Sequence, residues 1–351
     1  MTYIAKPKVH HPSLKKNALG LTRRDYEGAI TTLCAGCGHD SITAAIVQAF
    51  WELDIAPHTV AKLSGIGCSS KTPAYFLKEA HGFNSVHGRM PAIATGAGCA
   101  NQTLTMIGVS GDGDSLSIGL GQLCHAIRRN VNMLYVLENN GVYGLTKGQF
   151  SASADPGSMS KKGEANTMDA IDSVLLALTL GATFVARSFS GDKAQLVPLI
   201  KAGLAHKGFA FIDVISPCVT FNDHEGSTKS YAYTREHQVE VVHADFVPTR
   251  EEITAEQTPG AAKSVMMHDG SWVTFRSVAE NYDATNRDAA YNFIRERQKE
   301  HEVLTGLLYI SADSRDMAEQ NAIIPGPLTN LPFETLCPGS AELDKLMTRF
   351  R

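Results

Sequence analysis

Two loops in the middle of the chain carry oxygen donors that could share a metal ion. Asp112 lies in the sequence GDGD after an apolar run, and Asn140 lies in NNG after the next apolar run. Because the carboxyl ends of neighbouring parallel strands face one crevice, the two side chains can meet there. Oxygen donors of this kind suit Mg²⁺, which often shares its coordination with phosphates. Gly111 and Gly113 would let the backbone approach a diphosphate closely, and the N-terminus of the following helix would attract its charge.

Each loop, taken alone, is also typical of a plain turn, since Asp-Gly and Asn-Gly favour tight turns. Other known motifs fit less well. GDGD lacks the third acidic position and the glycine spacing of an EF-hand loop. The sequence contains neither GxxxxGKS or GxxxxGKT nor a GxGxxG segment after a strand. The presence of both loops in one strand-helix-strand unit therefore favours a magnesium and diphosphate site.

The seven cysteines include one close pair, Cys34 and Cys37, which could belong to a zinc site, a redox pair, a haem attachment or an iron–sulfur cluster. Haem attachment requires histidine directly after the second cysteine, but Gly38 stands before His39. A zinc ribbon requires a second CxxC pair, which the sequence lacks. A redox pair follows an apolar strand, and the preceding TTL is too short for one. The pair is therefore expected to bind a cluster together with thiolates from distant cysteines.

The remaining cysteines fall in different contexts. Cys68 lies in a glycine-rich turn and Cys218 at the end of a predicted strand, so both can face the same crevice edge. Cys99 and Cys124 fall within helical patterns. Cys124 shares an apolar face with Leu120 and Ile127, so a buried and inert thiol is expected there. Cys337 precedes a proline in the tail and has no obvious partner.

Strand-like runs alternate with helix-length segments over about residues 25–235. The predicted strands cover 59–63, 105–110, 131–137, 184–189 and 209–215. After the CxxC pair a helix is predicted, with Asp40 or Ser41 as its N-cap and an apolar face formed by Ile42, Ala45, Ile46, Ala49, Phe50 and Leu53. Strands that alternate with helices imply parallel crossover connections. We therefore expect an α/β fold with a doubly wound, mostly parallel sheet.

The sequence changes character beyond about residue 236, where longer polar stretches begin. The segment VMMHDGSWVTF predicts a hairpin with Asp269-Gly270 at its turn, and a charged helix is predicted near 285–304. We expect residues 1–235 to form the cofactor-binding α/β domain and residues 236–351 to form an irregular C-terminal extension that contacts another subunit.

Composition narrows the function further. The 351 residues are 43% hydrophobic, enough for a substantial core, and the formal charge is −4, with 32 basic and 36 acidic residues. No basic stripe interleaved with aromatic residues is present, so binding to nucleic acid or to a membrane is not expected. The N-terminal segment lacks an apolar signal region, and an odd number of cysteines does not suit a disulfide framework. We therefore expect a cytoplasmic protein.

Over about its first 230 residues the chain resembles the β subunits of two-subunit 2-oxoacid:ferredoxin oxidoreductases. The resemblance rests on an ordered series of segments: CAGCGH, SGIGC, HGRMPAIATG, GDGD, NNGVYGLTKGQ and SPC. GDGD followed by NN also resembles the diphosphate-binding motif of thiamine-diphosphate enzymes, which implies Mg²⁺ bound by Asp112, Asn140 and the carbonyl of Val142. The chain looks most like the enzymes that act on 2-oxoglutarate, although relatives that act on pyruvate or on several 2-oxoacids share every quoted motif.

The resemblance also implies the rest of the site. A four-iron, four-sulfur (4Fe–4S) cluster would be bound by Cys34, Cys37, Cys68 and Cys218. Thiamine diphosphate would be contacted by Ile66, Gly67, Cys68, Ser69, His87, Gly111 and Gly113. Lys147 would contact the substrate carboxylate, for which an ammonium group supplies a point charge. Two of these roles have a simpler alternative, because His87 could be a structural loop histidine and Lys147 a solvated loop lysine.

The implied activity is the coenzyme A-dependent oxidative decarboxylation of a 2-oxoacid, or its reverse, with electrons passed through the cluster to ferredoxin. The implied partner is an α subunit whose pyrimidine-binding domain supplies a glutamate to the cofactor, in an (αβ)₂ heterotetramer. Two rival hypotheses remain. A non-oxidative thiamine-diphosphate enzyme would explain GDGD and NN but not the cysteines. A cofactor-free scaffold with structural zinc would explain only the cysteines.

Overall fold

The computed structural model describes residues 11–160, 162–247, 262–266, 272–277 and 282–350. The strands in these ranges are β1 (Val60–Ser64), β2 (His81–Asn84), β3 (Thr105–Gly111), β4 (Met133–Asn139), β5 (Val142–Tyr143), β6 (Gln149–Phe150), β7 (Phe184–Phe189), β8 (Phe209–Ile215), β9 (Gln238–Val247), β10 (Ala262–Met266), β11 (Trp272–Ser277) and β12 (Val303–Ile310). The helices are α1 (Gly38–Glu52), α2 (Met90–Ala100), α3 (Leu120–Arg128), α4 (Ser173–Thr179), α5 (Lys193–Ala205), α6 (Tyr231–His237), α7 (Arg287–Lys299), α8 (Met317–Gln320), α9 (Phe333–Leu336) and α10 (Ser340–Thr348).

Ten of these strands form one sheet in the order β10-β11-β9-β12-β7-β8-β4-β3-β1-β2. From β2 to β7 all neighbouring strands are parallel. The central strands β4 and β8 consist of apolar runs that are buried along their whole length, as expected for strands covered on both faces. The predicted α/β fold with a mostly parallel sheet is confirmed, and all five predicted strands are present. The parallel order places the loops after β1, β3, β4 and β8 at one edge of the sheet.

Helix α1 begins earlier than predicted. Its N-cap is Cys37, which has an extended backbone, so the prediction of Asp40 or Ser41 as the N-cap is wrong. The physical reason is the small size of Gly38: a Cβ at that position would lie 2.6 Å from Oγ of Ser216, so only glycine lets the helix start against this side chain. The helix therefore begins directly at the CxxC pair.

The C-terminal segment extends the same sheet. β12 pairs antiparallel with β7 and parallel with β9, and β10 and β11 form the predicted antiparallel hairpin. The turn residues Asp269 and Gly270 lie outside the described residues. The predicted charged helix is confirmed as α7. The strands β9 to β12 hydrogen-bond within the same sheet as the strands before residue 235. The division into domains at residue 235 stays a prediction.

Among the described residues, none of the helices combines the length and the apolar character that crossing a bilayer requires.

Candidate active site

One cleft at the carboxyl edge of the sheet brings together all ten of the predicted cofactor and magnesium residues. It is bordered by the loops after β1, β3 and β4 and by the loop before α2. The predicted residues in its lining are Ile66, Gly67, Cys68, Ser69, His87, Gly111, Asp112, Gly113, Asn140 and Val142. These residues are far apart in sequence, and the parallel order of β1, β3 and β4 explains why they meet.

Asp112 is buried at the floor of the cleft. Its Oδ2 accepts hydrogen bonds from the backbone N–H of Gly141 (2.8 Å), from Oγ of Ser153 (2.6 Å) and from Oγ of Ser151. Burial raises the pKa of this carboxyl, while the hydrogen bonds from Ser151 and Ser153 act in the opposite direction. These donors converge on one oxygen and so fix the orientation of the side chain. The sequence prediction missed both serines, which lie beyond the NNG motif in an unremarkable polar segment.

Asn140 is buried at the turn that follows β4. Its Oδ1 accepts a hydrogen bond from the N–H of Val142 (3.0 Å), and its carbonyl accepts one from Nδ2 of Asn222 (2.8 Å). Gly141 has a φ of +74°, a conformation that favours glycine, and this explains the glycine of the NNG motif. The turn therefore holds Asn140 and Val142 beside Asp112.

The second aspartate of GDGD was not predicted as a site residue, yet it links three loops. Oδ1 of Asp114 accepts hydrogen bonds from the N–H groups of Gly88 (2.8 Å) and Ile66 (3.3 Å), and Oδ2 accepts one from Oγ of Ser110 (2.8 Å). A Cβ at Gly65 would overlap with the same carboxylate. Asp114 thus fixes the walls of the cleft relative to each other. The only sequence signal was its place in GDGD.

Four cysteines meet next to this cleft. A Cβ built on Gly144, a cleft residue, would lie 3.4 Å from Sγ of Cys68 and 3.6 Å from Sγ of Cys218. Sγ of Cys34 accepts a hydrogen bond from Oγ1 of Thr220 (3.6 Å), two residues beyond Cys218. Cys37 lies near Cys68 and Cys218, whose thiols add to the effect of burial on its pKa. Burial raises the pKa of Cys37 to about 12 and also raises those of Cys68 and Cys218. The structure therefore brings together the four thiols of the predicted ligand set.

The other three cysteines lie elsewhere. Cys99 belongs to α2 and packs against the hydrophobic core, Cys124 belongs to α3, and Cys337 is exposed near α9. No disulfide joins any of the seven.

Lys147 and His87 are both exposed at the rim. Lys147 lies between β5 and β6 with a φ of +78°, one residue beyond Thr146, which borders the cleft, and it forms no ion pair with the described residues. Neither the role of Lys147 in substrate binding nor that of His87 in cofactor binding is tested by this placement. Both stay predictions.

A buried polar group beneath the cysteines was also missed. His39 is fully buried, and its Nδ1 lies 2.5 Å from Oγ of Ser216 and 3.5 Å from Oε2 of Glu138. Glu138 is also fully buried and accepts hydrogen bonds from Oγ1 of Thr72 (3.0 Å). Burial lowers the pKa of His39 to about 4 and raises that of Glu138 well above its ordinary value. The imidazole of His39 is therefore uncharged at neutral pH, and burial favours the protonated form of Glu138.

A separate cavity of about 410 Å³ lies between β7, β8 and α7. Its floor is Arg187, which forms ion pairs of 2.9 Å with Asp172 and with Asp213. None of the predicted site residues lines it.

Comparison with known proteins agrees with this geometry. The family described as "Thiamine pyrophosphate enzyme, C-terminal TPP binding domain" matches residues 65–214, which carry the cleft loops after β1, β3 and β4. A 2-oxoacid:ferredoxin oxidoreductase subunit beta from a Sulfolobus species is 46% identical over 191 residues, which cover 54% of this chain. They cover 63% of the Sulfolobus protein, less than two thirds of its length.

Two further proteins are similar over more of their own length. A 2-oxoglutarate synthase subunit KorB from Methanocaldococcus jannaschii is 36% identical over 212 residues, which cover 60% of this chain and 75% of that protein. A solved structure of "2-oxoglutarate:ferredoxin oxidoreductase from Magnetococcus marinus with 2-oxoglutarate, coenzyme A and succinyl-CoA bound" superposes with a TM-score of 0.71 at 30% identity, covering 88% of this chain and 92% of the other. The chain therefore belongs to the 2-oxoacid:ferredoxin oxidoreductase β-subunit family.

Proposed function

We propose that the chain is the β subunit of a 2-oxoglutarate:ferredoxin oxidoreductase. The reaction is the coenzyme A-dependent oxidative decarboxylation of 2-oxoglutarate, or its reverse, with thiamine diphosphate, Mg²⁺ and a 4Fe–4S cluster. The observation that carries the proposal is the meeting of a diphosphate-type cleft and four cysteines at one edge of the sheet. The names of the relatives support 2-oxoglutarate as the substrate, and the Magnetococcus structure contains 2-oxoglutarate and coenzyme A.

The residues at the floor of the cleft fit Mg²⁺. Asp112 offers a carboxylate oxygen, Asn140 an amide oxygen and Val142 a main-chain carbonyl, a set of hard oxygen donors that Mg²⁺ prefers. The set carries one negative charge, which leaves part of the ion's charge for a diphosphate. Gly113 must lack a side chain here, because a Cβ would lie 2.4 Å from the ring of Tyr143, which packs against it.

The four cysteines fit a cluster better than a single zinc ion. Within the described part of the chain, no three His, Cys, Asp or Glu side chains gather closely enough to surround one metal ion. A four-iron cluster places each thiolate on a different iron atom and therefore needs thiols that are further apart than those around one zinc.

When bound, thiamine diphosphate supplies the electron sink for decarboxylation, and the cluster supplies one-electron acceptors. The chain's own residues hold and orient these groups. Asp112 and Asn140 bind the metal, Asp114 fixes the loops that enclose the cofactor, and Lys147 attracts the carboxylate of the substrate.

The proposed assembly contains an α subunit with the pyrimidine-binding domain. The β-subunit names of the relatives support a partner subunit, and the words ferredoxin oxidoreductase in those names support ferredoxin as the electron acceptor. We propose an (αβ)₂ heterotetramer, consistent with the two-fold symmetry that most closed assemblies adopt. The cytoplasmic location stays a prediction.

The proposed function is tested on the complex purified under anaerobic conditions. Reduction of ferredoxin is measured with coenzyme A and a panel of 2-oxoacids, and 2-oxoglutarate should give the highest kcat/KM. A higher value with pyruvate, or similar values throughout, would favour the broad-specificity alternative. A protein without iron that still decarboxylates the substrate would favour the non-oxidative rival.

Replacing Asp112 by asparagine should weaken cofactor binding and leave folding intact. Asparagine keeps the shape of the side chain but removes the negative charge that attracts the metal. The Kd of thiamine diphosphate, measured by calorimetry at limiting Mg²⁺, should rise at least about tenfold, or roughly 1.4 kcal/mol. Asp169→Asn, at an exposed position away from the cleft, is the matched control. Unchanged affinity in Asp112→Asn would refute the metal assignment.

Replacing Lys147 by alanine should reduce kcat/KM for the 2-oxoacid at least about tenfold, because the variant loses the ammonium group that attracts the carboxylate. Alanine retains Cβ, so the cost of the positive φ is unchanged. Iron and cofactor contents should stay at the parent level. Lys162→Ala, in an exposed turn, should have no effect. Equal kcat/KM in Lys147→Ala and the parent would count against the assignment.

A further inference from the structure

Three segments that carry cysteines each contribute one side chain to a buried hydrogen-bonded group, formed by His39, Ser69 and Ser216. His39 lies two positions after Cys37, and Ser69 directly follows Cys68. Ser216 lies two positions before Cys218. The side chains of the histidine and both serines are shielded from solvent. The three segments come from different parts of the sequence, so this contact is formed only in the folded chain.

The imidazole of His39 lies between the two serine hydroxyls. Nδ1 lies 2.5 Å from Oγ of Ser216, and Nε2 lies 3.3 Å from Oγ of Ser69. A neutral imidazole has one donor and one acceptor nitrogen, and a hydroxyl can act in either role, so both contacts can be satisfied together.

Backbone contacts support the same junction. The N–H of Ser216 donates to the carbonyl of Asn139 (2.8 Å), and the N–H of Gly38 donates to the carbonyl of Pro217 (3.4 Å). The segment before Cys218 is thereby joined both to the start of α1 and to the end of β4. The loop around Ser69 belongs neither to α1 nor to β4. Its side chain contacts His39, and through His39 this loop is linked to the segment before Cys218.

We propose that His39 is a positioning residue that holds the segments bearing Cys37, Cys68 and Cys218 in the arrangement that binds the cluster. The inference rests on the proposed function, because it assumes that these thiols are cluster ligands. His39 acts through the two serines. Its loss leaves all four thiols in the chain but frees their segments to move relative to one another.

The test compares cluster retention in the full chain after anaerobic reconstitution with iron and sulfide. His39→Ala should release iron to a chelator at least about tenfold faster than the parent, which corresponds to roughly 1.4 kcal/mol in the barrier. The cluster that remains should show an altered electron paramagnetic resonance spectrum and a shifted midpoint potential. His206→Ala is the matched control, because His206 is also buried and lies 2.7 Å from Oγ1 of Thr183, away from the cysteines. It should lower the Tm without changing iron release or the spectrum.

Two serine variants keep the proposal testable if His39→Ala does not fold. Ser69→Ala and Ser216→Ala each remove one contact to the imidazole, and both should speed iron release. In the double variant of Ser216→Ala with His39→Gln, the effects should be non-additive, because both changes remove the same contact. Parent-like iron release and spectra in both serine variants would overturn the role of His39. A parent chain that binds no iron–sulfur cluster would instead overturn the proposed function, so the two failures are distinguishable.

Discussion

Purified alone and reconstituted with iron, sulfide, Mg²⁺ and thiamine diphosphate, the chain is expected to show no 2-oxoacid-dependent reduction of ferredoxin. Thiamine catalysis in the family that the sequence resembles needs a glutamate against the cofactor's aminopyrimidine. No glutamate lines the cleft among the described residues. Apolar side chains near the cleft are instead exposed, with Val86 at 70%, Leu145 at 50% and Ile118 at 45% of their surface. We expect a partner subunit to cover them and to supply the missing carboxylate.

The measurement is anaerobic ferredoxin reduction by the isolated chain and by the chain mixed with its α subunit. Activity should appear only in the mixture. The interface should bury well over about 2,000 Å², as obligate complexes do. Robust turnover by the isolated chain would overturn the two-subunit hypothesis, and it would require an acidic residue of this chain to take the place of the glutamate.

Replacing Cys218 by serine is expected to remove most of the cluster iron and nearly all electron transfer. Serine keeps the size of the side chain but replaces a soft thiolate, the ligand that iron–sulfur clusters require, by a hard hydroxyl. Cys218 lies with Cys68 against Gly144. Iron per chain and ferredoxin reduction by the complex are measured for the variant and the parent.

Cys124→Ser is the matched control. This cysteine lies in α3, outside the group of four, and its replacement should change neither iron content nor electron transfer. If Cys218→Ser kept full iron occupancy and parent-like ferredoxin reduction, the fourth ligand would have to be another residue.

The central part of the fold could be predicted because its strands are buried on both faces. The runs that form β4 and β8 are apolar almost throughout, and such runs are readily recognised without knowledge of their neighbours. β2 could not be predicted in this way. Its four residues, HGFN, are exposed and show no strand pattern, and it forms because its backbone pairs with β1. The attachment of β9 and β12 to the same sheet likewise depends on long-range pairing.

In the candidate site, too, some features follow from local sequence patterns and others depend on long-range contacts. The cleft could be anticipated from Asp112 and Asn140, because both follow apolar strands whose ends share one edge. The contacts of Asp114 and His39 could not, since each depends on loops that meet only in three dimensions. In the sequence, His39 served only to exclude haem attachment, because Gly38 separates it from Cys37.

Gly144 forms a partition between two compartments. It borders the cofactor cleft, and it also faces the sulfur atoms of Cys68 and Cys218, so the wall between the cleft and the cysteines is one residue thick at this point. Its φ is not positive, so the backbone conformation at this position does not require glycine. In a protein that passes electrons from one compartment to the other, such a thin wall shortens the path through which they must tunnel. A methyl group at this position would lie in van der Waals contact with both sulfur atoms and fill the space between them and the cleft.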